Sequence, residues 1–216
     1  MKKYLFAIIT TLFLSSLIFA QNNAVGTYSA IPTEKGMAIF YRNQPQDFSL
    51  LVEGKNPTGS ENNPQNLSIQ TDSISVEIEF IKTSLFLGKK KLTEADEILK
   101  AQRAWHIATR ETKWNVKLNL ISDNFTLVTV YNLTDSILPN RTIPTVYYGY
   151  SVGGVPNQAF FQTVLMGDIV LSVGTTFPES VNVDEVRASI KKIIESITLL
   201  PPQKIAPKKK VTKKKK

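Results

Sequence analysis

Residues 144–173 read PTVYYGYSVGGVPNQAFFQTVLMGDIVLSV. Val146, Tyr148, Tyr150 and Val152 recur at every second position, the period of a β-strand. Gly153-Gly154 and Pro156 break the run. Residues 158–166 form a second apolar run, and Gly167-Asp168 supplies a tight turn. Ile169, Leu171 and Val173 then read as the return strand. Successive strands joined by short turns, with no helical period between them, predict an antiparallel sheet.

Alternation extends upstream. Ile74, Val76, Ile78 and Phe80 share one face of a predicted strand, with Ser75, Glu77 and Glu79 on the other. Trp114, Val116, Leu118 and Leu120 repeat the pattern, and a turn at Ser122-Asp123 leads into Phe125, Leu127 and Tyr131, so 114–131 reads as a hairpin. Weaker strands are predicted at 37–42 and 47–53, and 54–71, rich in Gly, Asn, Pro and Ser, reads as a long loop. Two segments switch to a helical period. One starts at Thr93 and carries Ala95, Ile98, Leu99, Gln102 and Trp105. The other starts at Asn182, with Val186, Ile190, Ile193, Ile194 and Ile197 as its apolar stripe and Pro201-Pro202 as its stop. The expected fold class is α+β: one antiparallel β-sheet flanked by two main helices.

The ends differ from the middle. Residues 1–20, MKKYLFAIITTLFLSSLIFA, have two lysines, an apolar run and a small residue at Ala20, the pattern of a signal peptide cleaved before Gln21. The alternative for this segment is an uncleaved N-terminal anchor. Residues 21–202 read as a single domain, and 203–216 as a lysine-rich tail with too little apolar content to fold. The chain carries 26 basic and 18 acidic residues. Setting aside Lys2, Lys3 and the eight tail lysines leaves 16 basic against 18 acidic residues, a net charge of −2. A nucleic-acid-binding domain would carry positive charge on its fold, so nucleic acid is not an expected partner. The absence of cysteine excludes disulfides, thiolate metal ligands and a thiol nucleophile.

The stretch from Tyr147 to Leu200 resembles the end of PsbP-like domains, in its tyrosine-rich strand, its hairpin at Met166-Gly167-Asp168-Ile169 and its closing helix running into IIESITLL. The resemblance implies a PsbP-like sandwich and a small exported protein, and it implies no catalytic residue.

Candidate sites follow from residue type. His106, the one histidine, followed by Glu111, reads either as a general base or as an ordinary helix residue. Glu77 and Glu79 on one strand face read as a carboxylate pair able to act as acid and base, or as a solvated face. Tyr147, Tyr148 and Tyr150 offer an aromatic patch if one face of their strand stays open. Lys89-Lys90-Lys91 read as a solvated loop, and Asn66, Asn124, Asn132 and Asn140 as chance glycosylation sequons in a chain of bacterial character. Lys208, Lys209, Lys210, Lys213, Lys214, Lys215 and Lys216 form a candidate tether to an anionic envelope surface, or a solubilising end. No catalytic, cofactor or metal site is assigned. The expectation is an exported periplasmic or extracellular protein of the cell envelope, with no transmembrane span in the mature chain. It would be a binding or structural module with an envelope surface or a protein as partner; a carboxylate-dependent or metal-assisted hydrolase is the alternative.

Overall fold

The computed structural model describes residues 27–42, 46–63, 65–154 and 156–201. The predicted signal peptide at 1–20 and the tail lysines lie outside the described residues. The first half of the chain supplies β1 (Thr27–Thr33), β2 (Gly36–Arg42), β3 (Asp47–Glu53), β4 (Thr58–Asn63), β5 (Asn66–Gln70) and β6 (Ser75–Lys82). Helices α1 (Thr83–Leu87) and α2 (Ala95–Trp114) follow. The second half supplies β7 (Leu118–Asn132), β8 (Asn140–Val152), β9 (Asn157–Met166), β10 (Ile169–Pro178), helix α3 (Val183–Glu195) and β11 (Thr198–Leu200).

All eleven strands belong to one sheet, in the order β1-β2-β3-β11-β7-β8-β9-β10-β6-β5-β4. Every pairing is antiparallel except β11 with β7. The expected two-helix α+β sandwich is therefore corrected: 53% of the structure is strand, and the sheet curls into a nearly closed barrel. The two edge strands meet at the seam, where Tyr28 of β1 lies beside Glu61 of β4 and stacks on Phe80 of β6 with ring centroids 5.5 Å apart. Burial and the Glu61 carboxylate push the Tyr28 hydroxyl up to about 12. Curling lets one face of the sheet cover much of itself.

An eleven-stranded wall encloses more space than side chains alone fill. Helix α3 occupies it. Its N-cap Asn182 accepts a hydrogen bond from the Asp184 amide at 2.9 Å, and Asp184 and Glu185 in the first turn suit the helix dipole. Val186, Ile190, Ile193 and Ile194 turn inward onto β3, β7, β9 and β10. They join Ile39, Phe48, Leu50, Ile78, Phe80, Leu171 and Val173 in one core. Replacing Ile194, which is fully buried, with alanine removes a packed side chain that nothing refills, and the expected loss is about 3 kcal/mol in urea unfolding. A loss under about 0.5 kcal/mol would show that the stripe is not core.

Helix α2 covers the outer face instead. Ile98 and Leu99 pack on Val146, Tyr148, Tyr150, Phe161 and Val170. Two other expectations are corrected. Trp114 ends α2, with Asn115 left-handed at φ 54° as its C-cap, and β7 runs unbroken through Ser122-Asp123 with a bulge near Ile121. Its hairpin partner is β8, not the second half of 114–131. The predicted loop at 54–71 contains β4 and β5, whose inward Leu67 and Ile69 are fully buried.

Candidate functional site: a covered carboxylate pair beside an aromatic cleft

Glu77 and Glu79 point outward from β6, as alternation requires, but α2 lies over them. Along α2 the buried positions pass from Ile98 and Leu99 to Gln102, His106 and Arg110, one residue per turn. The helix thus turns apolar contact into polar contact where it crosses the two glutamates. Arg110 Nη2 donates to Glu77 Oε2 at 2.7 Å and to Glu79 Oε1 at 3.2 Å. Its Nε donates to His106 Nε2 at 2.7 Å. Its guanidinium sits 5.0 Å from the Trp114 ring centroid and 4.8 Å from that of Phe161.

His106 Nε2 is also 3.1 Å from Glu79 Oε2. One ring nitrogen cannot accept from Arg110 and donate to Glu79 at once. Which of the two it serves is set by the proton on the ring, and its other nitrogen, Nδ1, lies 2.7 Å from the Tyr148 hydroxyl. Burial pushes the Tyr148 hydroxyl up, so it stays a neutral phenol and an available acceptor. Burial alone would also raise Glu79, but its contacts to His106 and Arg110 together outweigh that and hold the carboxyl below its ordinary value. Burial works against the Arg110 charge as well, yet the surrounding Tyr150, Glu79 and Glu77 raise it overall.

A folded-state carboxyl held below its unfolded value of 4.5 stabilises the fold above that pH and ceases to do so as pH falls through the folded value. Wild type is expected to lead Glu79→Gln in stability near neutrality, and the lead is expected to shrink below about pH 4.5. A lead that persists undiminished at about pH 3 would show that the carboxyl is not held down.

Beside this network the surface is concave, about 360 Å³, between α2 and strands β5 and β6. Glu77 and Glu79 both line it, Glu77 with 37% of its side chain exposed and Glu79 with 15%. So do Trp105 and Trp114, the only two tryptophans of the chain. Trp105 is braced by Phe86, at 6.2 Å between centroids. A larger concavity of about 830 Å³ opens between the β1–β2 turn and α3, but exposed charges such as Glu34, Lys35, Glu53 and Lys192 line it and no aromatic ring does.

The other candidates fall elsewhere. Tyr148 and Tyr150 are fully buried under α2, and Tyr147 is half-buried on the inner face against Phe160, so the three do not form an exposed patch. Glu111 accepts from the Leu118 amide at 2.9 Å, away from His106. Asn66 donates to Glu79 at 3.3 Å and Asn132 to the Leu138 carbonyl at 3.3 Å, which engages the amide nitrogens a glycan would need. Lys89, Lys90 and Lys91 are exposed between α1 and α2. Among the described residues no cluster of three metal-ligating side chains is present, and no helix is long and apolar enough to cross a membrane. Sequence reasoning missed Arg110. The signal was the i, i+4 series Gln102, His106, Arg110, a polar stripe whose last two members meet the Glu77/Glu79 pair. The chain matches no known family model and no curated protein.

Proposed function

We propose that this is an exported cell-envelope protein that acts as a binding module, with the cleft between α2 and strands β5 and β6 as its ligand site. One observation carries the reading: both tryptophans line one concavity together with a carboxylate that Arg110 holds in place at 2.7 Å. Indole faces beside fixed planar polar groups suit a ligand with an apolar face and hydroxyl edges, the chemistry of a saccharide ring. The tail lysines are an auxiliary electrostatic contact to the envelope.

The test uses the tryptophans themselves, since the chain's entire indole emission arises at the cleft. Soluble oligosaccharides released from cell-wall glycan are expected to shift that emission saturably, and Trp114→Phe or Glu77→Gln to weaken the response. No shift with any of these oligosaccharides removes the cleft as a glycan site.

A hydrolytic reading has one observation in its favour, that Glu77 and Glu79 share this concavity. Against it, both are paired with Arg110, and Glu79, the more deeply buried of the two, is held below its ordinary value, the opposite of what a general acid needs. Release of shorter oligosaccharides during the titration would reverse the choice.

A further inference from the structure

The β7–β8 hairpin carries an apolar surface that the fold does not use. Val128 and Val130 face the core, so Leu127 and Tyr131 face outward, and Leu133, Ile137 and Leu138 continue the surface through the turn. Ile137 is 86% exposed, Leu127 67% and Leu138 63%. The turn is built to hold them there. Asp135 accepts from the amides of Ile137 and Leu138 at 2.9 and 3.2 Å, and Asn132 accepts from the Thr134 amide at 3.1 Å. The Asn132 amide nitrogen closes the loop on the Leu138 carbonyl, and its backbone N–H on that of Pro139. A turn fixed this firmly with its largest side chains in water points to a partner surface.

The course of the chain says which. Strand β11 runs parallel to β7, and the Leu133 amide donates to the Leu199 carbonyl at 2.9 Å. The chain therefore leaves β11 at the hairpin turn. The described chain ends there at Pro201, and the sequence that follows it, 202–216, has eight lysines and no acid. The apolar projection and the residue that precedes the polybasic segment therefore lie at the same end of the molecule. Either alone is a weak attachment to a bilayer, and the two together form the paired signal that stable peripheral binding requires.

We propose that the hairpin end, through Leu133, Ile137 and Leu138, inserts into an anionic lipid surface that the tail lysines engage. This rests on the exported, tail-tethered part of the reading above and is independent of the cleft. The exported protein, without its leader, is sedimented with vesicles of mixed phosphatidylglycerol and phosphatidylcholine, and with phosphatidylcholine alone, at low and high salt. Wild type is expected to bind the anionic vesicles at low salt and to ignore the neutral ones. The double variant Ile137→Asp/Leu138→Asp keeps the backbone-mediated bonds of the turn, and its unchanged thermal unfolding serves as the control. It is expected to lose at least about tenfold in partitioning, as is deletion of 203–216. If the double variant binds like wild type while the tail deletion does not, the hairpin inference is overturned and the tether stands. Equal binding by the tail deletion and wild type overturns the tether as well. No binding by wild type, together with a dimer that the double variant abolishes, assigns the surface to a second copy of the chain and overturns the lipid proposal. The emission response at the cleft is unaffected by any of these outcomes.

Discussion

Replacing Arg110 with alanine is expected to destabilise the protein by about 3–5 kcal/mol, a large share of the stability of a domain this size. The reason lies less in the hydrogen bonds removed than in the groups left behind. Arg110 is 9% exposed and is the shared counter-charge of Glu77 and Glu79. Without it Glu79, buried under α2, loses its permanent counter-charge, and it must either stay ionised at a high desolvation cost or take up a proton. His106 Nε2 loses its donor in the same step, and the rings of Trp114 and Phe161 lose the cation between them. Lysine at this position is expected to recover only part of the loss. Its ammonium has no planar fork to reach both carboxylates and His106 together. Urea unfolding of Arg110→Ala, Glu79→Gln and the double variant measures the coupling. The double variant is expected to be less destabilised than the sum of the singles by about 1–3 kcal/mol. A single-variant loss under about 1 kcal/mol, unchanged in the Glu79→Gln background, would show that the network contributes nothing to holding α2 on the sheet.

The legible and illegible parts of this fold divide along a physical line. Strands β8, β9 and β10 are legible because their alternation is strong and Gly167, at φ 67°, takes the left-handed conformation that the Met166–Ile169 turn demands. Helix α3 is legible because its stripe and its Asn182 cap agree. The strands at 58–70 are not, because Asn, Ser and Gly carry little strand preference, and they pair only because β6 offers an edge to Leu67 and Ile69. The curvature is not legible either. A strand such as β9, with Phe160 and Phe161 facing opposite ways, is apolar on both sides. That pattern fits a flat sheet with helices on each side as well as a curled sheet that covers its own inner face. The site fails for a related reason: Glu77 and Glu79 look like a solvated face in sequence, and only the tertiary position of α2 places Arg110 above them.

The same position explains the second large effect. Phe161→Ala is expected to cost about 3–5 kcal/mol, as for a fully buried phenylalanine with no mobile neighbour to refill its space. Its ring lies 4.8 Å from His106, 5.7 Å from Tyr148 and 5.9 Å from Tyr150, centroid to centroid, with the Arg110 guanidinium 4.8 Å from its own centroid. On the remaining side the ring rests on Gly174 of β10. A Cβ at Gly174 would lie 2.0 Å from Phe161 Cδ1, so the strand has a glycine there because the ring takes the place of a side chain. Gly174→Ala is therefore destabilising in the wild-type background, by about 1–3 kcal/mol, since Tyr148, Tyr150 and His106 prevent the ring from moving aside. In the Phe161→Ala background the clash is gone and a methyl group fills part of the cavity, so the same Gly174→Ala change is expected to be neutral or stabilising. This change of sign is the diagnostic. An equal cost of Gly174→Ala in both backgrounds would mean that the glycine serves the backbone of β10 and not the ring, and that Phe161 is an ordinary core residue with no part in seating Arg110 over the carboxylates.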